Sequence, residues 1–326
     1  MTVPAASDAS LTSLDLRQAI VIDQSAQTLA TDFIQFDAID LRRCFTNSRT
    51  MEMLQDFVPN TISYVDMLRR LGHLLDVRGE EQIIDLRQTM RPFDLVNSLF
   101  DDVSFGAFIV DDGFSPTSSM GLKAFSDLVE RPVYRSVRLE NAMETALAAS
   151  STFEELSAKF LVSLRPPSSE VPIVCFKTVC ANQSGLRIAN VTLKDATENF
   201  DNVKQSFRTA KQNSKRFSFD ATATYHYLLH QAFALAHDLK LPVQIHTGFG
   251  NSDGDLLEAN PLLLRSVFET KRYSGAKFVL LHSYPYVREA AYLASLYPNV
   301  YMDLSLACNL VSPILEQILL DALSAA

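Results

Sequence analysis

The chain of 326 residues contains no tryptophan, and its 10 glycines form no glycine-rich phosphate loop. No Gly-x-Gly-x-x-Gly follows the first apolar run, so the fingerprint of a dinucleotide-binding fold is missing. No apolar stretch approaches the roughly 20 residues a membrane-spanning helix needs. The first residues, MTVPAASDASLTSLDLRQAI, lack a basic segment leading into an apolar one, which argues against a secretory signal. There is no basic excess: 29 Lys and Arg stand against 38 Asp and Glu, for a formal charge of −9. A field of that sign repels phosphates and disfavours nucleic-acid or anionic-membrane partners. Four cysteines (Cys44, Cys175, Cys180, Cys308) lie in or near apolar segments without a paired spacing, as expected of reduced thiols in a cytoplasmic protein.

What is present is a globular composition, 47% hydrophobic and 21% charged. Short β-branched runs alternate with longer helical patterns. The expected strands are Ala19–Asp23, Phe105–Asp111, Val133–Leu139, Ile173–Val179, Val243–Thr247, Lys277–His282 and Val300–Leu304. Several are continuously apolar, which suits strands buried on both faces of a parallel sheet. Thr61–Leu75, with a capping start at Pro59-Asn60, Thr222–Leu239 and Val287–Tyr297 show helical spacing. This alternation predicts βαβ units. No segment resembles a linker. The best breaker, Arg165–Glu170, interrupts nothing, so residues 1–326 are expected to form a single α/β barrel domain. A doubly wound sheet is the alternative. Residues 40–104 are too many for one barrel helix and predict a helical insertion.

In a parallel barrel the reactive groups sit at the C-terminal ends of strands. Two histidines, His246 and His282, each close an apolar run at neighbouring strand ends. A neutral imidazole there can hold a divalent metal or shuttle a proton. Arg138 and Lys177 lie inside apolar strands, where each cation needs a partner: a substrate carboxylate, Glu140 or an aspartate. Arg138 and Glu140 are accordingly the candidate substrate-binding pair. Asp111 and Asp112 could ligate a cation, although such a pair more often starts a turn, here with Gly113. His226, His230 and His237 fall near one helical stripe, but Tyr227 follows His226 where a metalloprotease helix has Glu, so a barrel-facing or solvated face is the expectation. The basic run Lys204–Arg216 reads as a solvated helix or loop.

The motif IHTGFG, then Asn260-Pro261, then LLHSYPYVREAAYLASLYPNVYMDLS resembles the amidohydrolase-related (amidohydrolase 2) family. In particular it is similar to the barrel domain that precedes glutamine-synthetase-like domains in fungal fluG-type and plant nodulin/glutamine-synthetase proteins. VDDGF, Arg138-Leu139-Glu140, FKT and Ser184-Gly185-Leu186 occur in the same order, and the likeness runs from about Leu16 onward. It implies a (β/α)8 TIM barrel of the metal-dependent hydrolase type, in which a zinc-like divalent ion activates water to hydrolyse a C–N or amide bond of a small, anionic substrate. His246 matches the strand-five metal ligand, and His282 the strand-six histidine that binds metal or substrate.

Other family positions depart from the pattern. Ile-Asp-x-His-Ala-His is replaced by Ile22-Asp23-Gln24-Ser25-Ala26-Gln27, so Ser25 and Gln27 occupy both lost ligand positions. Tyr-Arg-Ser-Gly-Leu is replaced by Asn182-Gln183-Ser184-Gly185-Leu186, without the anion-binding Arg. Only seven strands can be counted, so strand eight and its metal-binding Asp are expected to be missing. The resemblance therefore predicts impaired chemistry. An altered hydrolase would use His282 or Lys177 as acid/base, with Arg138 orienting a carboxylate. The alternatives are a non-catalytic barrel that binds a ligand or partner, and the front fragment of a longer chain with a glutamine-synthetase-like domain. Unpaired edges of strands one and seven would favour homo-oligomers.

Overall fold

The computed structural model describes residues 19–325 apart from 112, 114–118, 166–170, 251 and 253. Asp112 and most of the Arg165–Glu170 breaker thus lie outside the described residues. Seven strands form one sheet in sequence order: β1 (Val21–Ala26), β2 (Phe105–Asp111), β3 (Val133–Arg138), β4 (Ile173–Thr178), β5 (Val243–His246), β6 (Phe278–Leu281) and β7 (Val300–Met302). Every adjacent pair is parallel. The sheet curls into an α/β barrel with helices around it and no eighth strand among the described residues. The continuously apolar runs are the innermost strands: all four residues of β5 are buried, and three of four in β6.

Strand β1 corrects the expected boundary. It continues past Asp23 through the polar residues Gln24 and Ser25, and Ala26 still pairs with Val110 of β2. Polarity hid this extension because these side chains meet polar partners inside the barrel rather than an apolar core. Gln24 offers its backbone carbonyl to the Gln244 side-chain amide, and Gln244 in turn accepts a hydrogen bond from Ser136 of β3 at 3.2 Å. Buried amide and hydroxyl groups so paired cross-link three strands without leaving polar atoms stranded.

Four helices fill the interval between β1 and β2: α1 (Ala38–Arg43), α2 (Ile62–Leu75), α3 (Gly79–Thr89) and α4 (Pro92–Asp102). Thr61, rather than the preceding Pro59-Asn60, caps α2 by accepting the Tyr64 N–H. Arg42 of α1 forms a two-point ion pair with Glu80 of α3, at 2.8 and 2.6 Å. The remaining helices are α5 (Leu122–Leu128), α6 (Leu139–Ala148), α7 (Phe153–Ser163), α8 (Leu193–Gln212), α9 (Ala223–Leu239), α10 (Arg265–Phe268), α11 (Val287–Leu296), α12 (Ala307–Leu310) and α13 (Leu315–Ala325). None among the described residues is long and apolar enough to cross a membrane.

The largest apolar core joins β3–β7 to α6–α9, with Phe160, Phe176, Tyr225, Phe233 and Phe278 fully buried. Two expectations about helix faces need correction. Lys204, in the basic run, is buried, because its ammonium closes the C-terminal end of α6 by donating to the Leu147 and Ala148 carbonyls. His226 and His230 are buried against the loop after β4: His226 accepts the Ala189 N–H, while His230 contacts the Ala189 carbonyl and the Tyr273 hydroxyl. They are structural; His237 is exposed.

Candidate functional site

The C-terminal strand ends surround a cavity of about 590 Å³ lined by, among others, Ser25, Gln27, Lys177, His246, His282 and Asp303. The two strand-end histidines meet there, with ring centroids 4.6 Å apart in an edge-on arrangement. Ser25, Gln27, Lys177 and Arg138 line the same space, whereas Glu140 does not.

Local backbone geometry places the histidines. Gly248, two residues after His246, has φ 64°, and a Cβ there would lie 2.2 Å from the Tyr284 carbonyl oxygen. Only glycine allows the β5 loop to approach the β6 loop this closely, and the Phe249 N–H then donates to the Tyr284 carbonyl at 2.7 Å. His282 and Ser283 adopt φ 73° and 55°. Such values are unfavourable for side chains with a Cβ and must be held by their surroundings. Asp303, just beyond β7, does the holding: its Oδ1 accepts the His282 N–H at 2.6 Å and the Ser305 N–H at 3.1 Å. Its Oδ2 accepts from the Gln24 side chain at 2.7 Å, linking the ends of β7 and β1.

Protons can be assigned from this network. The Ser305 hydroxyl donates to Asp303 Oδ1 at 2.9 Å, so its oxygen must accept from His282 Nδ1, 2.7 Å away. His282 is thereby fixed with its proton on Nδ1 and a bare lone pair on Nε2. His246 Nε2 is buried without a hydrogen-bond partner. Burial, and secondarily the Lys177 charge, pushes the His282 pKa down to about 3. Burial, then the His282 and Lys177 charges, puts that of His246 well below its ordinary value. Both imidazoles are neutral at physiological pH.

The strand cations are paired by Asp111. This fully buried carboxylate takes Lys177 Nζ at 3.0 Å and Arg138 Nη2 on the same oxygen. Its other oxygen accepts the Gly113 N–H, so the turn and the ion pair share one side chain. Burial would raise the Asp111 pKa, but Lys177 and Arg138 prevail and hold it below the ordinary carboxylate range. Lys177 also donates to Ser25 Oγ at 2.8 Å. Glu140 lies behind the strands, where its Oε1 accepts from Thr178, the Val179 N–H and Tyr225. Burial raises its pKa despite those hydrogen bonds.

The residues present do not fit a divalent metal. Among the described residues no group of three or more His, Cys, Asp or Glu converges. At Ser25 a hydroxyl replaces an imidazole and already receives the Lys177 ammonium, a cation where a second cation would be repelled. Ser305, Asp303, Gln24 and Gln244 were not singled out as site residues in the sequence. Only Asp303, at the end of an apolar strand, carried a local signal.

A curled parallel barrel with histidines at consecutive strand ends defines an α/β protein of the metal-dependent hydrolase type. Residues 203–319 match the amidohydrolase family. Protein fluG of Emericella nidulans is 32% identical over 171 residues, which are 51% of this chain and 19% of fluG. The chain thus spans about a fifth of the length of fluG. A crystal structure of a candidate metal-dependent hydrolase from Lactobacillus casei superimposes with a TM-score of 0.83 at 25% identity, over 95% of this chain and 80% of that one. Over these stretches the chain is similar to amidohydrolase-related proteins.

Proposed function

We propose that the barrel binds a small anionic molecule at the His246–His282 cavity, and that the metal-assisted hydrolysis implied by the family is impaired in this chain. The carrying observation is the Lys177–Ser25 hydrogen bond. It puts a fixed positive charge beside the first of the two lost ligand positions, where the family chemistry calls for a metal. Lys177 and Arg138 both pair with Asp111, and Asp23 and Asp303 also line the cavity. The Lys177 ammonium in that cavity, beside two neutral histidine acceptors, suits a ligand that has both an anionic group and a hydrogen-bond donor.

A second reading keeps catalysis without a metal. It rests on the Asp303–Ser305–His282 relay, which presents a lone pair of defined direction to the cavity. The low His282 pKa makes it a weak base, so slow turnover is the most this arrangement supports.

Metal analysis after purification, and again after equilibration with zinc and gel filtration, tests the first reading. Substoichiometric metal that is unaffected by His246→Ala is the expected outcome. One tightly held equivalent that disappears in His246→Ala overturns it.

A further inference from the structure

The family resemblance locates its anion-binding arginine after strand four, and this chain has none there. Arginines from two other places converge instead. A second cavity of about 730 Å³ shares Asn47, Val179, Arg138 and Arg216 with the first, so the two adjoin. Arg43 and Arg49 also line it.

Arg43 ends α1, directly after the Arg42 that Glu80 engages. Arg43 itself makes no hydrogen bond or ion pair among the described residues, nor does Arg216. The backbone under Arg216 is nevertheless fixed. Phe217 and Phe219, both just after it, are buried in contact with each other, and the Phe219 N–H donates to the Gln183 side chain at 2.9 Å. An anchored loop therefore holds an exposed, uncompensated guanidinium at the rim common to both cavities. Of the two acidic groups lining the second cavity, Glu144 is paired, and Glu140 has one oxygen engaged while its buried Oε2 has no hydrogen-bond partner. Glu144 pairs with Lys211 at 3.3 Å, and Glu140 Oε1 is held by Thr178, the Val179 N–H and Tyr225. Concentrating unpaired arginines in a chain of net charge −9 costs self-repulsion that a bound oxyanion would relieve.

We propose that Arg43 and Arg216 form a distal oxyanion subsite, so that the ligand of this barrel carries two anionic groups, one in each cavity. The second group is a carboxylate or phosphate read by guanidinium forks. This deepens the proposed function and rests on its reading of the first cavity.

The test uses the full chain at low ionic strength, where surface electrostatics are least screened. Inorganic phosphate, which can fill the subsite alone, and adipate, which can bridge both cavities, are titrated calorimetrically. The double variant Arg43→Gln/Arg216→Gln is expected to lose about tenfold or more in affinity for both. Lys177→Met, which removes the cation of the first cavity, is expected to weaken adipate and leave phosphate unchanged. If phosphate fails to bind the native chain, or binds the double variant equally well, the subsite is wrong. If phosphate behaves as expected while adipate is indifferent to Lys177→Met, the subsite stands and the reading of the first cavity fails.

Discussion

Residue chemistry in this barrel turns on two carboxylates, each serving several donors. Asp111 compensates Lys177 and Arg138 while closing a turn, all from a fully buried position. Removing its charge strands two strand cations, and breaking a buried pair from one side typically costs about 3–5 kcal/mol. Asp111→Asn should therefore lower the urea midpoint severely. Asp111→Asn combined with Lys177→Met should recover part of the loss, and equal destabilisation of the single and double variants would refute the coupling. Asp303 is the second such carboxylate. Ser305→Ala removes the acceptor that fixes the His282 proton while leaving the backbone hydrogen bonds of Asp303 in place. The ¹⁵N shifts of the His282 ring should then change from a pure Nδ1–H form to a tautomer mixture. An unaltered pattern would show that the relay does not set the tautomer. The histidines themselves were legible, since each closes an apolar run. The need of Arg138 and Lys177 for partners was legible too. That Asp111 serves both was not, because the choice among an aspartate, Glu140 and a substrate depends on how β2, β3 and β4 lie side by side.

Elements were readable wherever local pattern and tertiary environment agree. Strand β2 falls on its expected limits, and β3–β7 lie within theirs, because apolar runs of that length have no other good place than a sheet covered on both faces. Strand β1 escaped at its C-terminal end because Gln24 and Ser25 look like a loop until Gln244 and Lys177 are seen opposite them. Arg43 gave no sequence signal, and Arg216 only as the end of a basic run read as solvated; the two lie some 170 positions apart. The β5 and β6 loops are an element-scale dependency of the site. Gly248 supplies both a positive φ and the space in which Phe249 reaches Tyr284. Gly248→Ala should cost about 1–3 kcal/mol from backbone strain alone, with the steric clash added. Denaturant midpoint and slope measure this: the midpoint should fall at constant slope. A neutral substitution would mean that the two loops are not locked together.

Across the whole molecule, the buried histidines make folding stability depend on pH in a direction that can be worked out. Burial lowers the pKa of His226 to about 4, and that of His282 to about 3; His246 lies well below its ordinary value. In the unfolded chain each returns to about 6.5. Above that pH both states are neutral and these groups contribute no slope. As pH falls below about 6.5 the unfolded chain takes up protons that the folded one refuses, so stability declines. The slope approaches about 1.4 kcal/mol per pH unit for each group that remains neutral in the fold. The decline attributable to His226 ends near its folded value of about 4, and that of His282 near about 3. Glu140 and Asp23 act in the opposite sense, since burial raises both and the fold then binds protons more readily than the open chain. Both carboxyls are common to the native chain and a His226 variant, so the difference between the two reports the histidine. His226 is the group to change, because it lies outside the cavity and its neutral-acceptor role toward Ala189 can be taken over by an amide oxygen. Urea midpoints from pH 7.5 down to 4.5 should fall less steeply for His226→Gln than for the native chain, by about 1.4 kcal/mol per unit at most. Parallel curves would mean that His226 is protonated in the folded state and that its burial is less complete than its packing against Ala189 implies.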